Sequence, residues 1–384
     1  MRMRTAHFVV LAVALSFGAV AAQQTPGQIR PRPAEGRQPE FPPPTIREYK
    51  PKSMLVTPEH LVPRAKFPVI DIHSHQPTPM PPDQFDKVVA AMDQLNLKLL
   101  VNLSGSFGDR LHKGIEAIRS SKYKNRMVLF ANIDFRTPVG PGFGAKAAKQ
   151  LEDDVKAGAV GLKVFKDLGM FDKRTDGSRL KVDDPELDPI WETCARLNIP
   201  VLIHVAEPAA FFEPLDYNNE RWLELALFGD RRYPQDRFPS FETLMTERDN
   251  LFRRHPKTTF VAAHLGWHAN DLARLGKMFD EMPNLYSEVG AVLYDIGRQP
   301  RGAHDFFVKY QDRILFGKDS FQPEEYPYYW RVFETRDDYF DYYRNYHAFW
   351  KLYGIDLPDS VLKKIYYQNA LKITPALPQA GWPK

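Results

Sequence analysis

From Phe67 onward the chain alternates, eight times over, between a short β-rich apolar run and a stretch of helical period. The runs are FPVIDIH (67–73), LKLLVNLSG (97–105), RMVLFANIDF (126–135), AVGLKVFK (159–166), IPVLIHVAE (199–207), TTFVAAHLG (258–266), NLYSEVGAV (284–292) and DRILFGKDS (312–320). Amphipathic segments lie between them, among them 82–95, 145–157, 187–197, 240–254, 269–281, 301–311 and 359–372. A strand that is apolar at nearly every position is buried on both faces, and strands that alternate with helices pair in parallel with the helices outside. Eight such units over roughly 300 residues predict an α/β protein folded as a closed (β/α)8 TIM barrel. An open doubly wound sheet has no support, because no glycine-rich phosphate loop follows the first run.

The barrel domain is expected over 67–384. Residues 1–22 read as a signal peptide: MRMRTAH is basic, FVVLAVALSFGAV is apolar, and AVAAQQ offers small residues for cleavage. Export to a periplasm or the medium follows, with an uncleaved anchor as the alternative. Residues 23–66 are too rich in proline for a ladder or helix and read as an extended arm or linker. Lys and Arg number 52 against 48 Asp and Glu, with no block of like charge, which argues against a nucleic-acid surface. No later apolar run is long enough to span a membrane. The one cysteine, Cys194 in WETCARL, is expected as a core thiol. A small-molecule substrate is the expected partner; homo-oligomerisation is left open.

Two connections are unusually long, 208–239 after strand five and 321–358 after strand eight. Both are rich in aromatic and charged residues. Long βα loops line or cover a barrel's active-site mouth; the alternatives are a cap or a subunit contact.

Working groups of a barrel sit at the C-terminal ends of its strands. His73 and His75 close strand one, and their two-residue spacing turns both imidazoles the same way. Strand five ends in His204, strand six in His264 and strand eight in Asp319. Imidazole and carboxylate are preferred ligands of zinc and similar divalent ions. Taken singly, each of these residues has a structural reading, as a core histidine or a turn cap; their shared strand position is what points to a metal. His7, His60, His112, His255, His304 and His347 fall in the leader, the arm, helices or loops. His268, just past strand six, either touches substrate or starts a helix.

In the order DIHSH, GLKVFKDLG, VLIHVAEP, FVAAHLG and ILFGKDS, these segments resemble the amidohydrolase superfamily over about 67–372. Within it they look like the amidohydrolase-related branch that includes aminocarboxymuconate-semialdehyde decarboxylase-like enzymes. The resemblance implies that His73, His75, His204 and Asp319 bind one divalent metal, most simply zinc. It implies that His264 contacts the attacking water or the substrate, and that Asp319 is the catalytic proton acceptor. Lys163 on strand four stands where binuclear relatives carry a carboxylated lysine bridging two metals. It is read as that bridge, as a cation for a substrate carboxylate, or as a lysine snorkelling outward. Two details depart from the family pattern or stand outside the ligand set. Lys318 precedes Asp319 where a small residue is usual, and by alternation should point away from the metal. Glu288 on strand seven is either support for a histidine or part of a buried ion pair, outside the catalytic set. The expected function is hydrolysis of an amide, ester or lactone bond in a small substrate, with a carboxylate one of its expected groups. The alternatives are a metal-dependent decarboxylase or hydratase of an aromatic or unsaturated acid and, remotely, a non-catalytic binding barrel.

Overall fold

A computed structural model of the chain describes residues 41–42 and 44–383. The predicted signal peptide and the first part of the proline-rich arm lie outside the described residues. The chain divides into two units, Met1–Leu55 and Val56–Lys384. In the first unit the described residues include a turn at Thr45, where Glu48 accepts from the Thr45 amide and hydroxyl. In the second, the arm is fastened to the barrel from Thr57 on. The Ala65 amide donates to Leu95 O, and the Lys66 ammonium pairs with Asp359 at 2.6 Å.

The strands are β1 (Val69–Ser74), β2 (Leu97–Asn102), β3 (Met127–Leu129), β4 (Ala131–Asn132), β5 (Leu162–Val164), β6 (Val201–Ile203), β7 (Phe260–Ala262), β8 (Leu285–Glu288) and β9 (Ile314–Leu315). The helices are α1 (Pro82–Leu95), α2 (Gly108–Ser120), α3 (Phe143–Ala157), α4 (Asp188–Leu197), α5 (Trp222–Leu227), α6 (Phe241–Arg254), α7 (Leu272–Glu281), α8 (Leu293–Gly297), α9 (Pro300–Lys309), α10 (Tyr326–Glu334), α11 (Asp359–Lys363) and α12 (Asn369–Ile373). Every paired neighbour is parallel, in the orders β1-β2-β3 and β4-β5-β6-β7-β8-β9.

The third predicted strand is two pieces, β3 and β4. At Phe130 the backbone changes partner: its amide donates to Asn102 O beside β2, and the Ala131 amide donates to Gly161 O beside β5. Gly161 leaves room for the buried Phe130 ring, which a Cβ there would meet at 2.4 Å. The two sheet ends meet as a barrel requires. Ile72 N–H donates to Phe316 O, and Asp319 N–H donates to His73 O at 2.7 Å. The strands are shorter than the apolar runs that announced them, because pairing stops before the run does. The last predicted helix is interrupted at Lys364–Gln368 by a π-helical turn, where the Ile365 carbonyl accepts from Phe316 N–H beside β9.

Helix starts follow side-chain chemistry. Pro82 occupies the first turn of α1, Ser240 Oγ accepts from Thr243 N–H at α6, and the Asp271 carboxylate accepts from Arg274 N–H at α7. The last of these begins the helix three residues later than its period suggested. Cys194 is buried in α4 as expected. Both long connections contain short helices, α5 and α10, and they pack on each other. Glu224 lies against His347, and the Phe228 and Tyr346 rings are 5.4 Å apart. Among the described residues no helix is long and apolar enough to cross a membrane.

Candidate metal centre

β1 carries His73 and His75 to the barrel mouth as its spacing required. Their Nε2 atoms are 3.3 Å apart, and Asp319 Oδ1 lies 3.4 Å from the first and 3.5 Å from the second. Asp319 reaches this point beyond β9, in a left-handed conformation (φ 80°), pinned by its amide to His73 O. His75 and Asp319 are partly open to solvent, at 29% and 38% side-chain exposure, whereas His73 is fully buried.

Hydrogen-bond partners settle which nitrogen faces inward. His73 Nδ1 is 2.9 Å from Glu288 Oε1, so its proton sits there and the Nε2 lone pair faces the cluster. His75 Nδ1 is 2.8 Å from Ser104 Oγ. The His73 Nε2 lone pair, His75 Nε2 and an anionic oxygen thus converge on one point, as the ligands of a cation do. A tetrahedral ion with bonds of about 2.0–2.1 Å has donor–donor edges of about 3.3–3.4 Å, which matches. The donor set fits a divalent metal.

His264 does not close a strand, contrary to the sequence reading. β7 ends at Ala262, and residues 264–267 form a left-handed turn (φ 61°, 50°, 59° and 57°). Left-handed non-glycine residues also follow β6 (Ala206) and β8 (Ala291). Such conformations are uncommon, and for a bulky residue like Trp267 unusual; here they cluster at strand exits around the imidazoles. The turn folds His264 back over the site. Its ring is 5.0 Å from that of His73 and 4.5 Å from that of His204, with Trp267 tilted beside it at 4.5 Å. His264 Nδ1 is 2.8 Å from Gly290 O, which makes Nε2 its acceptor.

His204 stands outside the His73–His75–Asp319 triple. Its Nδ1 is 3.4 Å from His264 Nε2, and its buried Nε2 points at Glu207 Oε2, 3.6 Å away. A second group with metal-ligand spacing, His73–His264–Glu288, has its atoms already committed to hydrogen bonds.

Lys163 does not snorkel outward. It is buried on β5 with Nζ 3.4 Å from His73 Nε2. Burial lowers its pKa to about 8, against the attraction of Asp319 and Glu288. Burial, then the Lys163 charge, depress His73 strongly and bring His75 to about 4. His204 and His264 are lowered mainly by burial, so all four rings are neutral at pH 7, as metal binding requires. Burial pushes the Asp319 carboxyl up, but the His73, His264 and His75 rings, as they take up protons at low pH, outweigh it and hold it well below its ordinary value. Glu207 is likewise buried, yet His204 and Lys166 hold it at about 2.

His268 belongs elsewhere. It is buried with Nε2 3.2 Å from Arg248 Nη2 and its ring edge-on to Phe241, which removes it from the candidate substrate contacts. Lys318 points away from the metal residues as alternation predicted. It is nonetheless buried under the last loop, where it pairs with Glu325. The residues missed by sequence reasoning are Ser104, Glu207 and the Gly290 carbonyl. Glu207 had a signal, an acid three positions after a site histidine; Ser104 had none.

No curated protein matches the chain. Solved structures similar to it include the 4-oxalomesaconate hydratase of Rhodopseudomonas palustris, at 18% identity and TM-score 0.49, over 80% of this chain and 96% of that one. The 2,6-dihydroxybenzoate decarboxylase of Rhizobium has 17% identity and TM-score 0.47, over 80% and 99%. A dihydroxybenzoic acid decarboxylase of Polaromonas sp. JS666, with bound manganese and an inhibitor, has 15% identity and TM-score 0.48, over 80% and 97%. These likenesses assign no reaction to the chain. The family model described as amidohydrolase matches residues 70–374, most of the chain. The chain is an enzyme of the amidohydrolase family.

Proposed function

We propose that the chain is a metal-dependent hydrolase of amide, ester or lactone bonds in a small substrate. The observation that carries this reading is the convergence of His73 Nε2, His75 Nε2 and Asp319 Oδ1 at 3.3–3.5 Å. These three, with His204, would hold one divalent ion, zinc by its preference for imidazole and carboxylate. Such an ion supplies Lewis acidity and brings the ionisation of water toward neutral pH. Asp319, ionised and partly exposed, accepts the proton of the attacking water and returns it to the leaving group. His264 is neutral with Nε2 as acceptor, so it orients that water rather than donating to the scissile carbonyl. Lys163 offers a buried cation for a substrate carboxylate. A second ion, with a carboxylated Lys163 as bridge, is the alternative that a metal count would reveal. The apolar leader supports an exported protein.

The buried Lys163 charge also favours a second reading, a decarboxylase or hydratase working on an unsaturated acid with the same residues. A panel of lactones, esters, amides and arenecarboxylates, scored for acid release and for carbon dioxide, separates the two. Hydrolysis by the wild type, abolished in Asp319→Asn with zinc retained or moderately weakened, supports the first. Undiminished turnover in Asp319→Asn overturns the role of that carboxylate.

A further inference from the structure

We infer that Glu288 is a positioning residue that sets the tautomer of His73 and holds His264 in its left-handed turn. The inference rests on the metal-site reading above, to which it adds a residue outside the ligand set. Glu288 ends β8 and is fully buried. Its Oε1 accepts from His73 Nδ1 at 2.9 Å and from the His264 amide at 2.7 Å, and Oε2 accepts from the Gly290 amide at 2.5 Å. One carboxylate therefore ties the end of β1 to the turn after β7 and to its own strand exit. With three donors on two oxygens, its buried charge is well satisfied.

Two glycines make the space it occupies. A Cβ on Gly317 would stand 2.6 Å from Glu288 Oε2 and 2.8 Å from His73 Cβ. A Cβ on Gly290 would stand 2.7 Å from the same oxygen, against the backbone of Lys318 and Asp319. Neither contact leaves room for an alanine without moving the carboxylate or the strand ends that bear His73 and Asp319. A buried ion pair with no site role would not require its own strand exit and that of β9 to be stripped of side chains.

The chemistry follows from donors and acceptors. A carboxylate can only accept, so it forces the proton onto His73 Nδ1 and leaves Nε2 free to ligate. A glutamine has one acceptor and one donor end. Either its NH2 faces the Gly290 amide, donor against donor, or it faces His73 Nδ1 and drives the proton to Nε2, which removes a ligand.

The test is zinc affinity, measured by competition with a chromophoric chelator, together with the imidazole nitrogen–proton spectrum of histidine-labelled protein. Glu288→Gln is expected to weaken zinc about 10- to 100-fold, Glu288→Met, which offers no acceptor, to weaken it at least as much and to abolish the His73 Nδ1–H correlation, and Glu288→Asp to recover part of both. At saturating zinc the turnover of Glu288→Gln should stay below wild type, because the His264 turn is also loosened. Gly317→Ala keeps the carboxylate but crowds it, and should reproduce the affinity loss; Gly302→Ala, with open space around it, should not. Zinc affinity in Glu288→Gln within twofold of wild type, or an unaltered His73 tautomer in Glu288→Met, overturns the inference. If Glu288→Gln does not fold, Gly317→Ala decides, and wild-type affinity there overturns it equally. None of the binding measurements needs substrate, so a wild type that binds zinc but hydrolyses nothing would sink the hydrolase reading alone.

Discussion

Replacing Glu224 by alanine should destabilise the protein by about 3–5 kcal/mol, the cost of leaving a buried charge without its partner. Glu224 and Arg221 are 1% and 3% exposed. Glu224 accepts from Arg221 Nε at 2.9 Å and from Arg231 Nη1 at 2.6 Å, and His347 Nε2 lies 3.1 Å away. The Arg221 guanidinium also lies 4.2 Å over the Tyr294 ring, so it is left buried against an aromatic face once its carboxylate is gone. Unfolding entropy of about 2.1 cal/mol/K per residue over roughly 330 residues gives about 0.7 kcal/mol/K, so the loss corresponds to about 4–7 °C in Tm. The pair Glu224→Leu with Arg221→Met, which removes both charges, should recover most of it. The pH dependence has a definite sign. Burial raises the Glu224 carboxyl, but His347 and Arg221 outweigh it and hold it at about 2, below its ordinary 4.5. Its stabilisation is therefore full above about pH 4.5 and disappears as pH falls toward 2. His347, lowered by burial from 6.5, adds a further loss below that pH, because the unfolded chain takes up the proton first. Thermal melts from pH 7 to 3 measure both. A Glu224→Ala variant within about 0.5 kcal/mol of wild type, the range of an ordinary surface substitution, would refute the assignment of this cluster as the fastening between the two long loops.

Lys163→Met removes a cation beside the metal residues, so zinc affinity should hold or rise while affinity for benzoate falls relative to benzamide. Titration calorimetry reads both, and loss of one of two bound zinc ions would instead establish the carboxylated bridge. Cys194 is fully buried and its thiol is pushed far up by that burial, so iodoacetamide at pH 8 should leave it unmodified in native protein and label it after unfolding.

Much of the architecture was legible because a buried parallel strand announces itself by continuous apolar residues, whatever its partners. The barrel order and the meeting of His73, His75 and Asp319 were legible from strand ends, whereas His264 lies past its strand and His204 outside that triple. Strand length was not legible: TTFVAAHLG stays apolar past Ala262, where the backbone turns left-handed to fold His264 inward. At the break, the Phe130 ring needs the space left by Gly161, just before the neighbouring strand, which no local pattern encodes. Ser104 and the Gly290 carbonyl were out of reach for the same reason, since they orient histidines only through tertiary contact. His268 stayed open between two readings because a histidine just past a strand reads the same whether it faces the mouth or, as here, Arg248.

Diffraction at the zinc edge from zinc-loaded protein tests the central claim most directly. The account predicts one anomalous peak within bonding distance of His73 Nε2, His75 Nε2 and Asp319 Oδ1, with His204 the next ligand. A peak centred instead on Glu288 and His264, or no peak at the barrel mouth while His73, His75 and Asp319 keep their places, would contradict it.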